Sequence, residues 1–368
     1  MSMDTRGLYE TEDMIRDPLY GYIGISEVER EVIDTQYVQR LRGVTQLGAT
    51  DMVYPSATHS RFEHSLGVMH LAGRLANSVG LSDEEVTACR LAGLLHDTGH
   101  PVWSHSGEAV AERYGIEHEE RSCEVVDDVD LPVSNTLVKQ YILGEAEPNI
   151  VSGILDADRM DYLLRDAYHT GVVNGQIDVD TLNRFATVIN GQLGVEEKGI
   201  TALNRLLNAR LQMFQSVYGH EAVRRFDAEL RRSLQLYVED NTVEELFTAR
   251  ENELYASLLQ YEPFQRYTSR EPYSIATTYS EQVETEDTYR LAQQIADACE
   301  IDVSEVLVQF SIEFDEPFDE IPIRQSDGSV TQLGELSAVP ASIENEYDES
   351  SQPVVYSHHD ISDFSFEP

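Results

Sequence analysis

Residues Arg90 to His100, RLAGLLHDTGH, form an apolar helical run that stops on a histidine and an adjacent aspartate. Ser82 suits an N-cap, Asp83, Glu84 and Glu85 suit a first turn, and Ala88, Leu91, Ala92 and Leu95 recur at helical spacing. The pattern predicts a buried helix that ends at His96 and Asp97, with Gly99 as its stop. Neighbouring side chains on a regular helix diverge by about 100°, so these two converge on one point only because the helix is ending. Imidazole nitrogen beside carboxylate oxygen suits a divalent metal, and the donor set alone leaves its identity open among Zn, Fe, Mn and Mg. Seven of the eleven histidines (His59, His64, His70, His96, His100, His105 and His118) fall in one segment of the chain, between residues 59 and 118. Histidines with purely structural roles have no reason to crowd in that way.

With 368 residues, 41% of them hydrophobic, the chain can bury a substantial core in one large domain or two. No stretch approaches the ~18 to 20 consecutive apolar residues of a membrane helix, and the start MSMDTRGLYETED lacks a signal-peptide pattern, so a cytoplasmic protein is expected. Cys89, Cys123 and Cys299 are far apart, form no CxxC and read as reduced thiols in helical patterns. The net charge of −41, with Lys139 and Lys198 as the only lysines, resembles halophilic proteins that work in molar salt. There the Debye length is about 3 Å and self-repulsion is screened. Such a surface argues against extended nucleic-acid binding, which needs a basic footprint.

Along the chain, residues 14–24 predict a hairpin, residues from Ser26 a helix, and residues 61–75 a second helix with Arg61 and His64 one turn apart. Helical patterns follow near 107–114 and 119–126. In the helical pattern around Asp158, that residue, Tyr162 and Asp166 are spaced by four and share a face, while Met160, Leu163, Leu164 and Ala167 serve the core. Asn190-Gly191 between alternating residues marks a hairpin. One long helix is expected from Thr201 to about Tyr237, carrying Arg210, Phe214 and Tyr218 on one four-residue ladder, with further helices over 243–259 and 285–299. From Val306 the period becomes that of strands, with an Asp327-Gly328 turn and a last strand at 353–356. The expected fold is mainly α, with small β-hairpins and a small mixed α/β C-terminal subdomain. The expected division is 1–50 (hairpin and helix on the core), 51–240 (the histidine-rich domain) and 241–368 (C-terminal helical and mixed α/β region).

The blocks THSRFEHSLG from Thr58, HDTGHPVWSH from His96, HEE from His118 and DADRMDY from Asp156 resemble the HD-domain phosphohydrolase superfamily, and most of all its deoxynucleoside triphosphate triphosphohydrolase branch. The similarity runs from about Asp17 to Arg225 with the blocks in the family's order, and implies an HD-domain helical bundle. It implies His64, His96, Asp97 and Asp158 as ligands of a divalent ion (Mn, Fe, Mg, Co, Ni or Zn). Two neutral imidazoles and two carboxylates would cancel most of the ion's charge and leave room for water and phosphate.

On the same resemblance, His105 with Asp156 is the expected acid dyad, and His100 and His118 contact phosphate oxygens. Arg61, Arg159 and Arg210 match positions that bind the triphosphate, although relatives often carry lysine at the position of Arg159. Tyr162 and Asp166 match residues around the sugar, Gln46 and Leu47 a loop over the nucleoside, and Tyr218 a residue that flanks the ribose and disfavours a 2′-hydroxyl. Phe214 stands where a relative has a histidine near the base, which leaves base preference open. Asp34, Gln39 and Arg42 match a guanine-recognising regulatory trio, but Asp13 replaces a basic residue there, so these read as an ordinary salt-bridged helix.

The implied function is metal-dependent hydrolysis of a dNTP to the deoxynucleoside and tripolyphosphate. The alternatives are an HD hydrolase of another nucleotide or phosphate monoester, and an inactive nucleotide-binding regulator. The expected partners are a nucleotide and further copies of the chain in a homo-oligomer, with no membrane.

Overall fold

The computed structural model describes residues 13–278, 288–310, 317–347 and 353–361. The segment read first from the sequence is a helix over Asp83–Leu95. Ser82 caps it with its hydroxyl on the Glu85 amide while the Glu85 carboxylate takes the Ser82 amide at 2.8 Å. His96 is its C-cap. The Arg61–Ser78 helix packs along it, and the absence of a side chain at Gly93 permits the approach: a Cβ there would lie 2.9 Å from the Met69 amide nitrogen. The Ala157–Thr170 helix crosses the same pair, with Asp156 as N-cap. Gly67 makes that contact possible, since a Cβ would sit 1.8 Å from an Asp161 carboxylate oxygen. Three helices thus bring His64, the His96–Asp97 end and Asp158 to one place.

Among the described residues, three small sheets attach to this body. Strands β1 (Asp13–Asp17) and β2 (Gly21–Ile25) form the expected N-terminal hairpin. Strands β3 (Ala186–Ile189) and β4 (Gln192–Glu196) form the second, through Asn190 at φ 53° and Gly191 at φ 86°, the positive-φ pair that a tight hairpin turn requires. Strand β5 (Ile275–Thr278) joins β6 (Val306–Phe310) and β9 (Pro353–Ser357) in the order β5-β9-β6. Strands β7 (Pro322–Arg324) and β8 (Val330–Gln332) do not belong with these. They extend the central hairpin into a four-stranded sheet, β3-β4-β7-β8, with β7 parallel to β4 and Val195 opposite Ile323.

The hydrophobic cores run across the boundaries expected from the sequence. The main core runs from Ile23 through the helical body to Ile323, Leu333 and Ile343. A second core unites Ala49, Trp103, Phe226, Leu230, Leu246 and Phe264, so packing crosses both 50/51 and 240/241. Among the described residues, β6 and β9 form a small separate core with the Thr288–Cys299 helix, while Leu307 and Tyr356 of the same strands pack with Ala228 and Tyr273.

Two helical expectations also change. The long helix breaks into Ile200–Met213, a π-turn over Phe214–Tyr218, and Glu221–Asp240 capped by His220. The wider π-turn interrupts the four-residue ladder and re-aims Tyr218. The 243–259 helix is two short ones, Glu244–Thr248 and Glu251–Leu258. Of the expected 285–299 helix and the strand from Val306, residues 285–287 and 311–314 lie outside the described residues. Arg42, expected in a salt bridge, donates to Gln39 Oε1 at 2.9 Å and lies 3.5 Å over the Phe62 ring. All three cysteines are free, Cys89 and Cys123 buried and Cys299 half-buried. No helix among the described residues is long and apolar enough to cross a membrane.

Candidate active site

His64 and His96 are each oriented from behind. His64 Nδ1 lies 2.8 Å from Asp161 Oδ2, and because a carboxylate only accepts, Nδ1 carries the proton. Its Nε2 then faces Asp158 Oδ1 at 2.9 Å and Asp97 Oδ2 at 3.6 Å. His96 Nδ1 donates to the Gly93 carbonyl at 2.9 Å, which turns Nε2 toward Asp97 Oδ1 at 3.3 Å and Asp158 Oδ1 at 3.7 Å. That nitrogen is buried and has no hydrogen-bond partner among the described residues. Two imidazole lone pairs facing carboxylate oxygens repel unless positive charge lies between them.

The titration behaviour expresses the same demand. Burial works against protonation of His64, yet its bonds to Asp158 and Asp161 hold it up at about 10. Burial likewise opposes ionisation of Asp97, but Arg61, His96 and His64 bring it down to about 2. Ligating atoms of His64, His96 and Asp158 lie within 4.8 Å of one another, and Asp97 closes the open side. The residues therefore fit a divalent ion, with two nitrogens and two carboxylates as donors.

The expected acid dyad is corrected. Asp156 does not reach His105; its oxygens accept from the Arg159 amide and the Gly153 amide, each at 2.6 Å, as the N-cap of its helix. His105 Nδ1 instead bonds Glu108 Oε2 at 2.8 Å, and the other oxygen of Glu108 accepts from His118 Nδ1. One carboxylate thus bridges two imidazoles. The His118 ring stacks on His100 with centroids 3.8 Å apart. Burial lowers the pKa of His118, but Glu108 outweighs it and raises it, whereas burial and then Arg61 push His100 well below its ordinary value. The two stacked rings are thus pushed in opposite directions, His118 toward protonation and His100 away from it. Glu108 was missed in the sequence, although it follows His105 by three residues on one helix, a spacing that places both on one face.

A cavity of about 1360 Å³ opens from this centre. His96, Asp97, Asp158, His100, His105 and His118 line it at one end. Arg61 spans the border: Nε donates to Ser104 Oγ and Nη1 to Asp97 Oδ2, both at 2.6 Å, while Nη2 is buried without a partner among the described residues. Arg159 and Arg210 line the same space, and both guanidinium groups lie over the Phe318 ring, at 5.9 and 5.3 Å. Phe318 comes from the C-terminal third of the chain, and no sequence pattern pointed to it.

Farther in, the lining includes Gln46, Leu47, Tyr162, Phe214, Asp166 and Tyr218. Asp166 is 1% exposed and accepts from the Tyr218 hydroxyl at 2.6 Å while His59 Nε2 lies 2.8 Å from its other oxygen. Every site residue read from the sequence except His64 lines this one cavity, and His64 stands directly behind it.

Residues 61–165 match the HD domain, and residues 177–364 match the HD associated region. The chain belongs to the HD-domain phosphohydrolase family. It is 39% identical over 237 residues to an uncharacterized protein of Methanocaldococcus jannaschii, covering 63% of this chain and 51% of that one. It is 30% identical over 267 residues to the deoxynucleoside triphosphate triphosphohydrolase SAMHD1 of Homo sapiens, covering 58% of this chain and 42% of that one. The chain spans about half the length of the curated relatives it matches. Among solved structures, a phosphohydrolase of Bacteroides thetaiotaomicron superposes with a TM-score of 0.79 at 24% identity over 94% of this chain and all of that one, a likeness of fold. A hypothetical protein of Aquifex aeolicus gives 0.77 at 28% identity, over 94% of this chain and 96% of that one.

Proposed function

We propose that this HD phosphohydrolase cleaves deoxynucleoside triphosphates to the deoxynucleoside and tripolyphosphate. The observation that carries the reading is the single cavity that joins a cation-seeking nest, three arginines and the Asp166–Tyr218 pair. Asp158 and Asp166 are eight residues apart on one helix, about 12 Å along its axis. That separation suits a phosphate at one end and a sugar hydroxyl at the other. The 30% identity to SAMHD1, named for this activity, supports the same substrate class.

His64, His96, Asp97 and Asp158 would hold a divalent ion, whose chemistry is to polarise a phosphoryl oxygen and offset its charge. Arg61, Arg159 and Arg210 bind the triphosphate oxygens and orient the α-phosphorus, a task that suits the planar guanidinium fork. Water adds to that phosphorus, the bond to the 5′-oxygen breaks, and the leaving oxygen takes a proton from His105. His105 suits this role because its side chain is 69% exposed to the open cavity and is held by Glu108. The proton released by the attacking water returns to His105 through solvent, so the step balances. His100 and His118 contact phosphate oxygens, and Glu108 favours the protonated form of His118.

Incubating the metal-loaded protein in high salt with each dNTP and identifying the phosphate product tests the reading. Tripolyphosphate is expected. Release of orthophosphate or pyrophosphate instead would assign the site to a different phosphate ester.

A further inference from the structure

Trp103 and Ser104 are consecutive non-glycine residues with positive φ, 55° and 51°, and Ser104 with ψ −121° lies outside the left-handed helical basin. Such a turn persists only where its surroundings over-determine it. Its neighbours do so through one distant residue. Glu251 Oε1 accepts from the Trp103 amide at 2.9 Å, the Thr45 amide at 2.7 Å and the Thr45 hydroxyl at 2.8 Å. Two segments far apart in sequence therefore meet on one carboxylate oxygen, and the Ser104 hydroxyl ties them again by donating to the Thr45 carbonyl.

Glu251 is the first residue of its helix, yet the Arg250 amide at the cap is taken by Glu253 at 2.7 Å. The Glu251 carboxylate serves the turn and not its own helix. A second clamp holds the same elements together, since Arg40 donates to the carbonyls of Ala249, Leu246 and His100 at 3.0, 3.1 and 2.9 Å. Behind the cavity wall the turn holds the fully buried Ser104 Oγ, which accepts from Arg61 Nε. Arg61 thereby keeps Nη1 on Asp97 and Nη2 buried beside the cavity without a partner among the described residues.

We propose that Glu251 is a positioning residue for Arg61: it holds the Trp103–Ser104 turn against Thr45, so that Ser104 aims the guanidinium at a phosphate oxygen. This rests on the phosphohydrolase reading of the site but not on the cleavage of dNTPs. A glutamate outside the HD domain, 148 residues from Trp103, thus completes a seat inside it.

The test is calorimetric binding of inorganic tripolyphosphate to the Mn-loaded protein, in a cycle of Glu251→Ala, Arg61→Ala and the double variant. Glu251→Ala is expected to weaken binding by about tenfold or more, the scale of a lost charged hydrogen bond. Glu251→Gln, whose amide oxygen can still accept from all three donors, is expected to restore binding to within about threefold. In the Arg61→Ala background, Glu251→Ala should add nothing, a coupling that general loosening of the fold would not produce. Circular dichroism and metal content check that each variant is folded and loaded. If Glu251→Ala does not fold, Glu251→Asp, one methylene too short, takes its place in the cycle. Additive losses, wild-type binding by Glu251→Ala or its substitute, or no tripolyphosphate binding by the wild type would each overturn the proposal. A protein that binds tripolyphosphate with this coupling but leaves dNTPs intact overturns only the substrate assignment.

Discussion

The two ends of the cavity meet their polar groups in opposite ways. At the metal end His64 and His96 are locked through Nδ1; His64 Nε2 meets Asp158 at 2.9 Å, and His96 Nε2 is buried without a hydrogen-bond partner among the described residues. At the inner end the hydrogen bonds are already made: Asp166 holds the Tyr218 hydroxyl and sits against His59. The first arrangement is incomplete without a cation. In the second the Asp166 bonds are already made and must be shared or exchanged to take a ligand, while Gln46 Oε1 and His59 Nδ1 lie buried without a partner among the described residues. Binding energy at the metal end is therefore expected to be large and electrostatic, and at the inner end small and discriminating, because only differences between bonds remain there.

The largest effect follows from removing a metal ligand. His96→Ala or Asp158→Ala is expected to lose the ion and reduce turnover by at least ~10³-fold, several kcal/mol of charge stabilisation. Saturating the wild type with Mn at about 100 times its Kd should raise unfolding stability by about 2.7 kcal/mol. Both variants should lose that shift, whereas Asp166→Asn should keep it. Elemental analysis and melting curves with and without Mn measure this. Full occupancy in His96→Ala would erase the contrast between the two ends.

Next come the bridged imidazoles. Glu108→Gln and His105→Ala should each lower turnover by roughly 10²- to 10⁴-fold, as for a lost general acid; nucleotide affinity should stay within about threefold in His105→Ala, while Glu108→Gln, which also releases His118, should weaken it. If Glu108→Gln left turnover intact while Asp156→Asn abolished it without unfolding, the corrected pairing would be wrong.

Much of the site was readable because its residues are local. Arg61 and His64 share one helical turn, His96 and Asp97 are adjacent, and Asp158, Tyr162 and Asp166 keep a spacing of four. Helical periodicity puts the first and third sets on one face, and the end of the Asp83–Leu95 helix lets His96 and Asp97 converge. What could not be read depends on contacts between distant segments or on breaks in the period. Phe318 reaches Arg159 and Arg210 from the far end of the chain, and β7 and β8 complete a sheet begun more than a hundred residues earlier. The π-turn over Phe214–Tyr218, which no propensity signals, breaks the expected long helix at Tyr218. Asp156 was misread because an aspartate before a helix serves equally as a cap or as a catalytic partner, and only the backbone amides of Gly153 and Arg159 decide between them.

A subtler probe of the metal end is Asp161, whose oxygens hold His64 Nδ1 at 2.8 Å, Arg165 at 2.8 and 3.0 Å and the Tyr20 hydroxyl at 2.7 Å. Asp161→Asn can present an amide donor to Nδ1, which would shift the imidazole proton to Nε2 and remove the lone pair from the metal side. Metal affinity should fall by about 10- to 100-fold, the usual cost of an outer-shell change. Metal titration against the wild type measures it, and unchanged affinity would mean that the tautomer of His64 is set elsewhere.

The smallest effect tests the inner end. Burial, and then Asp166, raise Tyr218 well above the ordinary phenol value, so its hydroxyl stays protonated and donates to Asp166. Tyr218→Phe removes that bond and keeps the ring; Tyr218→Ala removes both. If the ring walls off the 2′ position, the wild type should hydrolyse dGTP at least ~tenfold faster than GTP, a difference of about 1.4 kcal/mol or more. Tyr218→Phe should preserve the ratio while lowering both rates by about fivefold, the scale of one hydrogen bond. Tyr218→Ala should narrow the ratio to within about threefold. Neither variant should alter the Mn-dependent gain in stability, because Asp166 lies about 12 Å along the helix from Asp158. Competition kinetics with dGTP and GTP separate these outcomes. Equal rates in the wild type, unchanged in Tyr218→Ala, would leave the inner end a structural network with no part in choosing the sugar.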